Sequence, residues 1–286
     1  MWLPFSFANV FVGAFAGLLN LTPIDENIFP QAYVQTVSGQ FQAGGLVAMQ
    51  LQKGVSLRVN GAEIKQDNGL AVFGFGRDAG KQAKLVFSKQ GKQHIIHKPL
   101  LARQYETQYI EGVAPEYVTP PPDVLQRIRQ ENALKRAARR GQLAKAQFIN
   151  GFRWPLTGRI SGVYGSQRIF NGQPRRPHFG VDIVASKGTP VKAMADGKVT
   201  LAQSDMYYEG GLVFIDHGLD IISAYLHLSQ VNVKRGDKVR AGDMIGRVGS
   251  GGRSTGAHLD WRIYWRDKHI DPVLLVGEQP ARKASR

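Results

Sequence analysis

Between about Pro30 and Gly112 apolar residues alternate with polar ones, or gather in short runs, and then break. Gly44–Leu51, Val55–Val59, Leu70–Phe75 and Lys84–Phe87 carry this pattern, and the dipeptides Asn60-Gly61 and Asn68-Gly69 separate such runs. Asn-Gly supplies the two left-handed residues of a tight hairpin turn, so the region predicts short antiparallel strands forming a small sandwich. The pattern stops at Thr119-Pro-Pro-Pro-Asp123. Proline is tolerated in a first helical turn, and Thr119 or Asp123 can cap a helix running to about Phe148. Its apolar stripe, Val124, Ile128, Leu134 and Ala138, is partial.

After Trp154-Pro-Leu-Thr-Gly158 the period-two pattern returns. Arg159–Tyr164, Gly180–Val184, Gly197–Leu201, Leu212–Asp216, Ile221–His227, Lys238–Val239, Met244–Val248 and His258–Tyr264 read as strands punctuated by glycine turns, with no convincing helix among them. The Gly-Asp turns at Gly236 and Gly242, each before an apolar strand, resemble the hairpin of lipoyl-like β folds. The expected fold is mostly β: a small N-terminal sandwich over 25–113, a Pro-rich linker with a basic helix over 114–150, an all-β domain over 151–277 and a basic tail over 278–286. Residues 1–24 are set apart. Trp2–Ile24 carry no charge, and Ala14-Phe15-Ala16 resembles the cleavage site of a secretory signal. An uncleaved anchor and a buried N-terminal segment remain open.

Composition narrows the chemistry. The chain has 286 residues, 37 Lys+Arg against 22 Asp+Glu for a net charge of +15, and no cysteine. Without cysteine there are no disulfides, thiolate ligands or cysteine nucleophiles, so a transition-metal site must use His and carboxylates. The charge suits a polyanion, but no finger, basic zipper or RNA-binding signature accompanies it. Nucleic acid is therefore not the expected partner. Seven Lys/Arg against two Asp/Glu in Asp123–Lys145 suit either a solvated connector or contact with an anionic membrane surface.

Polar pairs recur on the C-terminal strands. His178, Gly180 and Asp182 share one face of an extended chain, with nothing but glycine between imidazole and carboxylate. Tyr225 and His227 form a second pair. In the third, His258, Asp260, Arg262 and Tyr264 share a face while Leu259, Trp261, Ile263 and Trp265 take the core face. His258 and Asp260 then stand about 7 Å apart. The preceding Gly249–Gly256 run reads as a loop that lets something approach closely. His94 and His97 lack a third ligand nearby, His217 reads as a turn residue, and His269 has no partner in view. Arg168, Arg175 and Arg176 read as a loop that can hold a substrate carboxylate or simply face water.

His178-x-x-x-Asp182, Tyr225-x-His227-Leu-Ser229 and Gly256-x-His258-x-Asp260, in that order, resemble the lysostaphin-like zinc endopeptidases that cut peptidoglycan peptides. The likeness continues through Gly158–Gly165, Gly188–Val191 and Gly236–Val248 and covers about Trp154–Val276. It implies a duplicated-hybrid-motif β domain in an exported, periplasmic or envelope protein acting on peptidoglycan. It also implies Zn²⁺ on His178, Asp182 and Asp260, catalytic imidazoles at His227 and His258, and a supporting role for Tyr225. One position departs: the usual third ligand is histidine, and here it is Asp260. Zn²⁺ with two neutral His and one Asp carries +1, whereas with one His and two Asp it is formally neutral, which polarises a carbonyl less and suits a harder metal such as Mn²⁺. The alternatives are a working endopeptidase and a degenerate peptidoglycan-binding or hydrolase-activating module. Both catalytic imidazoles are kept, which favours the enzyme. A polyanion-binding β protein is a third reading, resting on charge alone.

Overall fold

A computed structural model describes Ile24 and residues 28–280. The expected signal or anchor lies outside the described residues, as does most of the basic tail. No helix among the described residues is long and apolar enough to cross a membrane.

The N-terminal region forms two four-stranded sheets. Strands β1 (Val34–Gly39), β2 (Leu46–Leu51), β6 (Leu70–Gly74) and β5 (Gln66–Asp67) make one, in the order β1-β2-β6-β5. Strands β3 (Ser56–Val59), β4 (Ala62–Glu63), β7 (Gln82–Lys89) and β8 (Lys92–Pro99) make the other, in the order β4-β3-β7-β8. Both Asn-Gly dipeptides turn as expected, with φ of 50° and 82° at Asn60-Gly61 and 49° and 83° at Asn68-Gly69. Gln90-Gly91 does the same without asparagine, which is why its hairpin was not legible. Alternation places Leu57, Leu85 and Phe87 fully inside. His94 and His97 are exposed on β8, three residues apart and hence on opposite faces, so they form no metal pair.

The linker differs from its expectation. A short helix α1 (Pro115–Val118) and a single 3₁₀ turn (Pro122–Val124) precede helix α2 (Leu125–Ala138). Neither Thr119 nor Asp123 caps it, and it ends ten residues before Phe148. The stop has a tertiary cause: the backbone N–H groups of Gln142 and Leu143 donate to Asp216, at 2.7 and 3.0 Å, instead of continuing a helix. Nor is α2 a solvated connector. Glu131 is buried, accepting from Arg127 on its own helix and from the Tyr207 N–H; Lys135 pairs with Glu209; Ala138 joins Leu201, Met206 and Phe214 in one apolar cluster. The basic helix thereby lies along the C-terminal domain.

The C-terminal strands are β10 (Ile160–Gly162), β13 (Val181–Val184), β15 (Gly197–Met206), β16 (Gly210–Asp216), β17 (Ile221–Val231), β18 (Lys238–Val239) and β20 (His258–Trp265). They form a sheet ordered β10-β13-β20-β17-β16-β15-β18. To it are joined β14 (Pro190–Lys192), β19 (Met244–Val248) and β21 (Lys268–Ile270), through pairs β14–β19, β17–β19 and β20–β21. A separate hairpin of β11 (Gln167–Phe170) and β12 (Gln173–Arg175) pairs in parallel with β9 (Thr107–Ile110). Leu259, Trp261 and Ile263 of β20 are fully buried and Trp265 nearly so, as the alternation required.

The two halves share a continuous core that includes Phe73 and Leu46 on one side and Ile263 and Ile270 on the other. Polar ties reinforce it: Arg103 pairs with Asp271 at 2.8 Å, and Arg77 donates to the Gly165 carbonyl at 2.7 Å. Lys65 and Arg266 both pair with buried Asp220.

Candidate metal centre and its imidazoles

Strand register assembles the site. In the antiparallel pair β13–β20, Asp182 stands directly opposite Asp260, and in β17–β20 Leu226 stands opposite Asp260. Two carboxylates directly across a ladder repel, so this arrangement requires cations. His178, in the turn before β13, is fixed through its backbone: its N–H donates to the Ser166 carbonyl at 2.8 Å, and its own carbonyl accepts from Gly165 at 2.7 Å. His178, Asp182 and Asp260 are all buried, and one ligand atom from each lies within 4.8 Å of the others.

Each aspartate carries a guanidinium. Arg168, on β11, pairs with Asp182 Oδ2. Arg262, two residues along β20, donates from Nε to both oxygens of Asp260, at 2.9 and 3.1 Å. Glycines make room for both pairs. A Cβ at Gly162 would collide with Asp182 and Arg168, and one at Gly180 would lie 2.6 Å from Arg262 Cγ and 2.8 Å from Asp260 Oδ1. Gly180 therefore serves the neighbouring strand's ion pair, not only the gap between His178 and Asp182. Burial pushes both carboxyls up, but His178 and Arg168 outweigh it at Asp182, and Arg262 outweighs it at Asp260, so both stay ionised, held below the usual carboxylate range.

Two unsatisfied atoms of the site point at one place. His178 Nε2 and Asp182 Oδ1 are buried without a hydrogen-bond partner, and they lie 3.2 Å apart without hydrogen-bond alignment. Leaving such groups unpaired costs about 1–3 kcal/mol each. Two atoms at that spacing span an edge of a tetrahedron of about 2 Å radius, the bond length of zinc to imidazole or carboxylate. Asp260 supplies the third donor, an oxygen, since each carboxylate oxygen keeps a lone pair beyond the one facing Arg262. The donor set fits a divalent cation.

His227 and His258 stand beside it with ring centroids 4.8 Å apart. His227 Nδ1 faces the Gly251 carbonyl at 2.8 Å and His258 Nδ1 the Gly256 carbonyl at 2.9 Å. A carbonyl only accepts, so both Nδ1 atoms carry the proton and a neutral ring presents a bare Nε2. His258 Nε2 lies 3.8 Å from Asp182 Oδ1. Burial, followed by the neighbouring His258, pushes the His227 pKa down to about 4, leaving this ring neutral near pH 7.

Tyr225 does not belong to the site. Register sets it opposite Trp261, on the core face, where it is fully buried and its hydroxyl accepts from the Met194 N–H at 2.9 Å. Tyr225 and His227 therefore do not share a face as simple alternation predicts. His227 turns to the site because its backbone is left-handed, with φ of 63°, where a non-glycine residue is uncommon. The Gly249–Gly256 loop also differs from its expectation. What approaches Gly249, Gly251 and Gly252 is the chain's own backbone at Ser229, Gly210 and Tyr208, and this brings the Gly251 carbonyl to His227.

His217 is no turn residue but a fully buried one. Its Nδ1 donates to the Asp196 carbonyl at 2.7 Å and its Nε2 accepts from Ser223 Oγ at 2.7 Å. Burial pushes its pKa down to about 4. An unfolded imidazole titrates near 6.5, so the unfolded chain takes up the proton first. Stability is complete above about pH 6.5 and lost as the pH falls toward 4, by about 3 kcal/mol from His217 alone. Urea midpoints measured with chelator between pH 7.5 and 4.5 should fall accordingly, and H217Q should flatten that slope.

A cleft of about 660 Å³ opens over His178, His227 and Asp260. Its wall includes Arg136 from α2 and Arg139 just past its end, Arg175 and Arg176 beside His178, and Arg253. Arg253 is held between the rings of Tyr208 and Phe170, at 4.8 and 5.0 Å, and pairs with no carboxylate among the described residues. Sequence patterning placed Arg168 in a loop with Arg175 and Arg176; the structure puts it in β11, bound to Asp182. Arg253 and the arginines at the end of α2 were missed as site residues, because their nearness depends on how the helix and loop fold back; Arg262 shares the face of Asp260 by strand alternation but was given no role.

An all-β domain thus brings one His and two Asp donors together beneath two further imidazoles. Residues 176–272 match peptidase family M23. The peptidoglycan DD-endopeptidase ShyA of Vibrio cholerae is 37% identical over 116 residues, 40% of this chain and 27% of that protein. The murein hydrolase activator NlpD of Escherichia coli is 33% identical over 131 residues, 46% of this chain and 32% of that protein. A crystal structure of a peptidase M23 from Pseudomonas aeruginosa aligns over 83% of this chain and 96% of its own, with 27% identity and a TM-score of 0.62. The chain carries a peptidase family M23 domain, as the resemblance to lysostaphin-like endopeptidases implied. A domain of this family implies a divalent metal. The matches cover about a third or less of the length of these two curated relatives.

Proposed function

We propose that this protein is a zinc-dependent endopeptidase of the cell envelope that hydrolyses peptide bonds in peptidoglycan stem or cross-link peptides. The observation that carries the reading is the pair of unpartnered buried donors, His178 Nε2 and Asp182 Oδ1, 3.2 Å apart beside Asp260 and under two imidazoles. His178, Asp182 and Asp260 hold the metal, which when bound supplies Lewis acidity toward the scissile carbonyl. His227, neutral with a bare Nε2, accepts the proton of the attacking water. The protonated His227 then returns that proton to the leaving amine, while the bare Nε2 of His258, less buried, accepts the water's other hydrogen and orients it. Tyr225 acts only through the core. The arginine-lined cleft supports a substrate bearing carboxylates, which forked guanidinium groups hold well.

A second reading, a peptidoglycan-binding or hydrolase-activating module, draws on Asp260 in a position usually held by histidine and on the guanidinium bound to each aspartate. The experiment that separates them is metal analysis of the purified chain combined with mass spectrometry of products from purified peptidoglycan. One zinc per chain and new free amino termini are expected. A chain that after reconstitution holds no metal and releases no peptide sinks the enzyme reading.

A further inference from the structure

We propose that Asp260 and Arg262 together replace the neutral imidazole that the family usually places at this ligand position, Arg262 being a positioning residue that restores the site's charge. The inference rests on the metal-centre reading above and concerns how this chain makes an aspartate serve there.

The charge account is simple. A second carboxylate in place of an imidazole removes one unit of positive charge from the metal and its ligands. The guanidinium of Arg262 adds that unit back at the nearest available place, with Nε donating to Asp260 Oδ1 at 2.9 Å and Oδ2 at 3.1 Å. The pair is net neutral, as an imidazole is. It is also buried: the Asp260 side chain is 2% and the Arg262 side chain 23% exposed, so solvent screens it little.

Local structure shows that the pair is built in. Arg262 is two residues from Asp260 on β20, so the strand period puts both on the site face. Across the ladder the position that would crowd them is Gly180, where a Cβ would meet Arg262 Cγ at 2.6 Å, the Trp261 carbonyl at 2.6 Å and Asp260 Oδ1 at 2.8 Å. Arg262 also fixes the carboxylate's orientation, the role that a hydrogen-bonded outer partner plays for a metal ligand.

Five full-length proteins test this through their affinity for Zn²⁺, measured by chelator competition, with melting temperature recorded alongside. Counting the formal charge at positions 260 and 262, wild type is neutral, R262Q is one unit more negative, D260H one unit more positive, and D260H/R262Q neutral again. Affinity should follow charge. R262Q should bind Zn²⁺ about tenfold tighter and D260H about tenfold weaker, while the double variant returns to about wild type, the scale expected for one unit charge close to a partly buried cation. R262Q should nevertheless cleave peptidoglycan at least about tenfold more slowly, since the more negative site polarises a carbonyl less. R262K, which keeps the charge, should stay within a few-fold of wild-type affinity.

A purely structural Arg262 predicts the opposite sign, with R262Q binding zinc more weakly as the carboxylate loses its support. Weaker or unchanged binding by R262Q, or a double variant no better than D260H, overturns the proposal while leaving the metal centre standing. Wild-type protein that binds no zinc overturns both. If R262Q does not fold, the comparison of D260H with D260H/R262Q carries the same sign and decides.

Discussion

H178A should lose its metal and its peptidoglycan cleavage together. His178 Nε2 and Asp182 Oδ1 are the two donors with nothing else to bind, so the imidazole's removal leaves two aspartates already engaged by Arg168 and Arg262. A catalytic zinc site keeps three protein ligands; with two, and two arginines close by, the cation is not held. Metal content should drop from one per chain to near zero, and released peptide should fall by at least about a thousandfold, the scale of losing metal-assisted hydrolysis. The fold should survive, because the His178 side chain forms none of the site's hydrogen bonds and its backbone anchors to Ser166 and Gly165 are unaffected. Cleavage retained by a metal-free H178A protein would assign the activity to other groups.

H227Q should separate chemistry from metal binding. His227 is not among the three clustered donors, and its Nδ1 is already committed to the Gly251 carbonyl. Glutamine can keep the bond to that carbonyl through its amide but cannot take up a proton. Zinc should remain at one per chain while cleavage falls by about a hundred- to ten-thousandfold, the contribution typical of a positioned base. Single-turnover assays on purified peptidoglycan with parallel metal analysis measure both. Loss of metal in H227Q would instead make this ring a ligand.

How much of this was legible in the sequence depended on whether a feature is local. Period-two patterning located the strands of the C-terminal sheet and the buried face of β20, because burial of Leu259, Trp261, Ile263 and Trp265 is written into alternation. Asn-Gly turns marked two hairpins for the same reason. The pairing of His178 with Asp182 and the position of His258 and Asp260 were likewise readable from spacing. Alternation failed at Tyr225 because a left-handed residue at His227 resets the faces, and nothing in Tyr-Leu-His announces that. The β11–β12 hairpin and its parallel neighbour β9 were missed since their strands are short and their partner lies more than fifty residues away. The helix was drawn too long because Asp216, a distant acceptor, captures the backbone beyond Arg140. Arg168 was visible only as a basic residue; its bond to Asp182 is a tertiary fact.

The parallel pairing of β9 with β11 bears on inheritance. The family match begins at residue 176, yet Arg168, which neutralises Asp182, sits on β11 and leans on Thr107–Ile110. Helix α2 likewise contributes cationic groups to the cleft. The matched segment is therefore braced by residues that lie before it. A recombination joint placed anywhere between residues 111 and 166 would separate β11 from the strand it grew up with, and a viable fusion must carry both sides or evolve a new brace for that arginine.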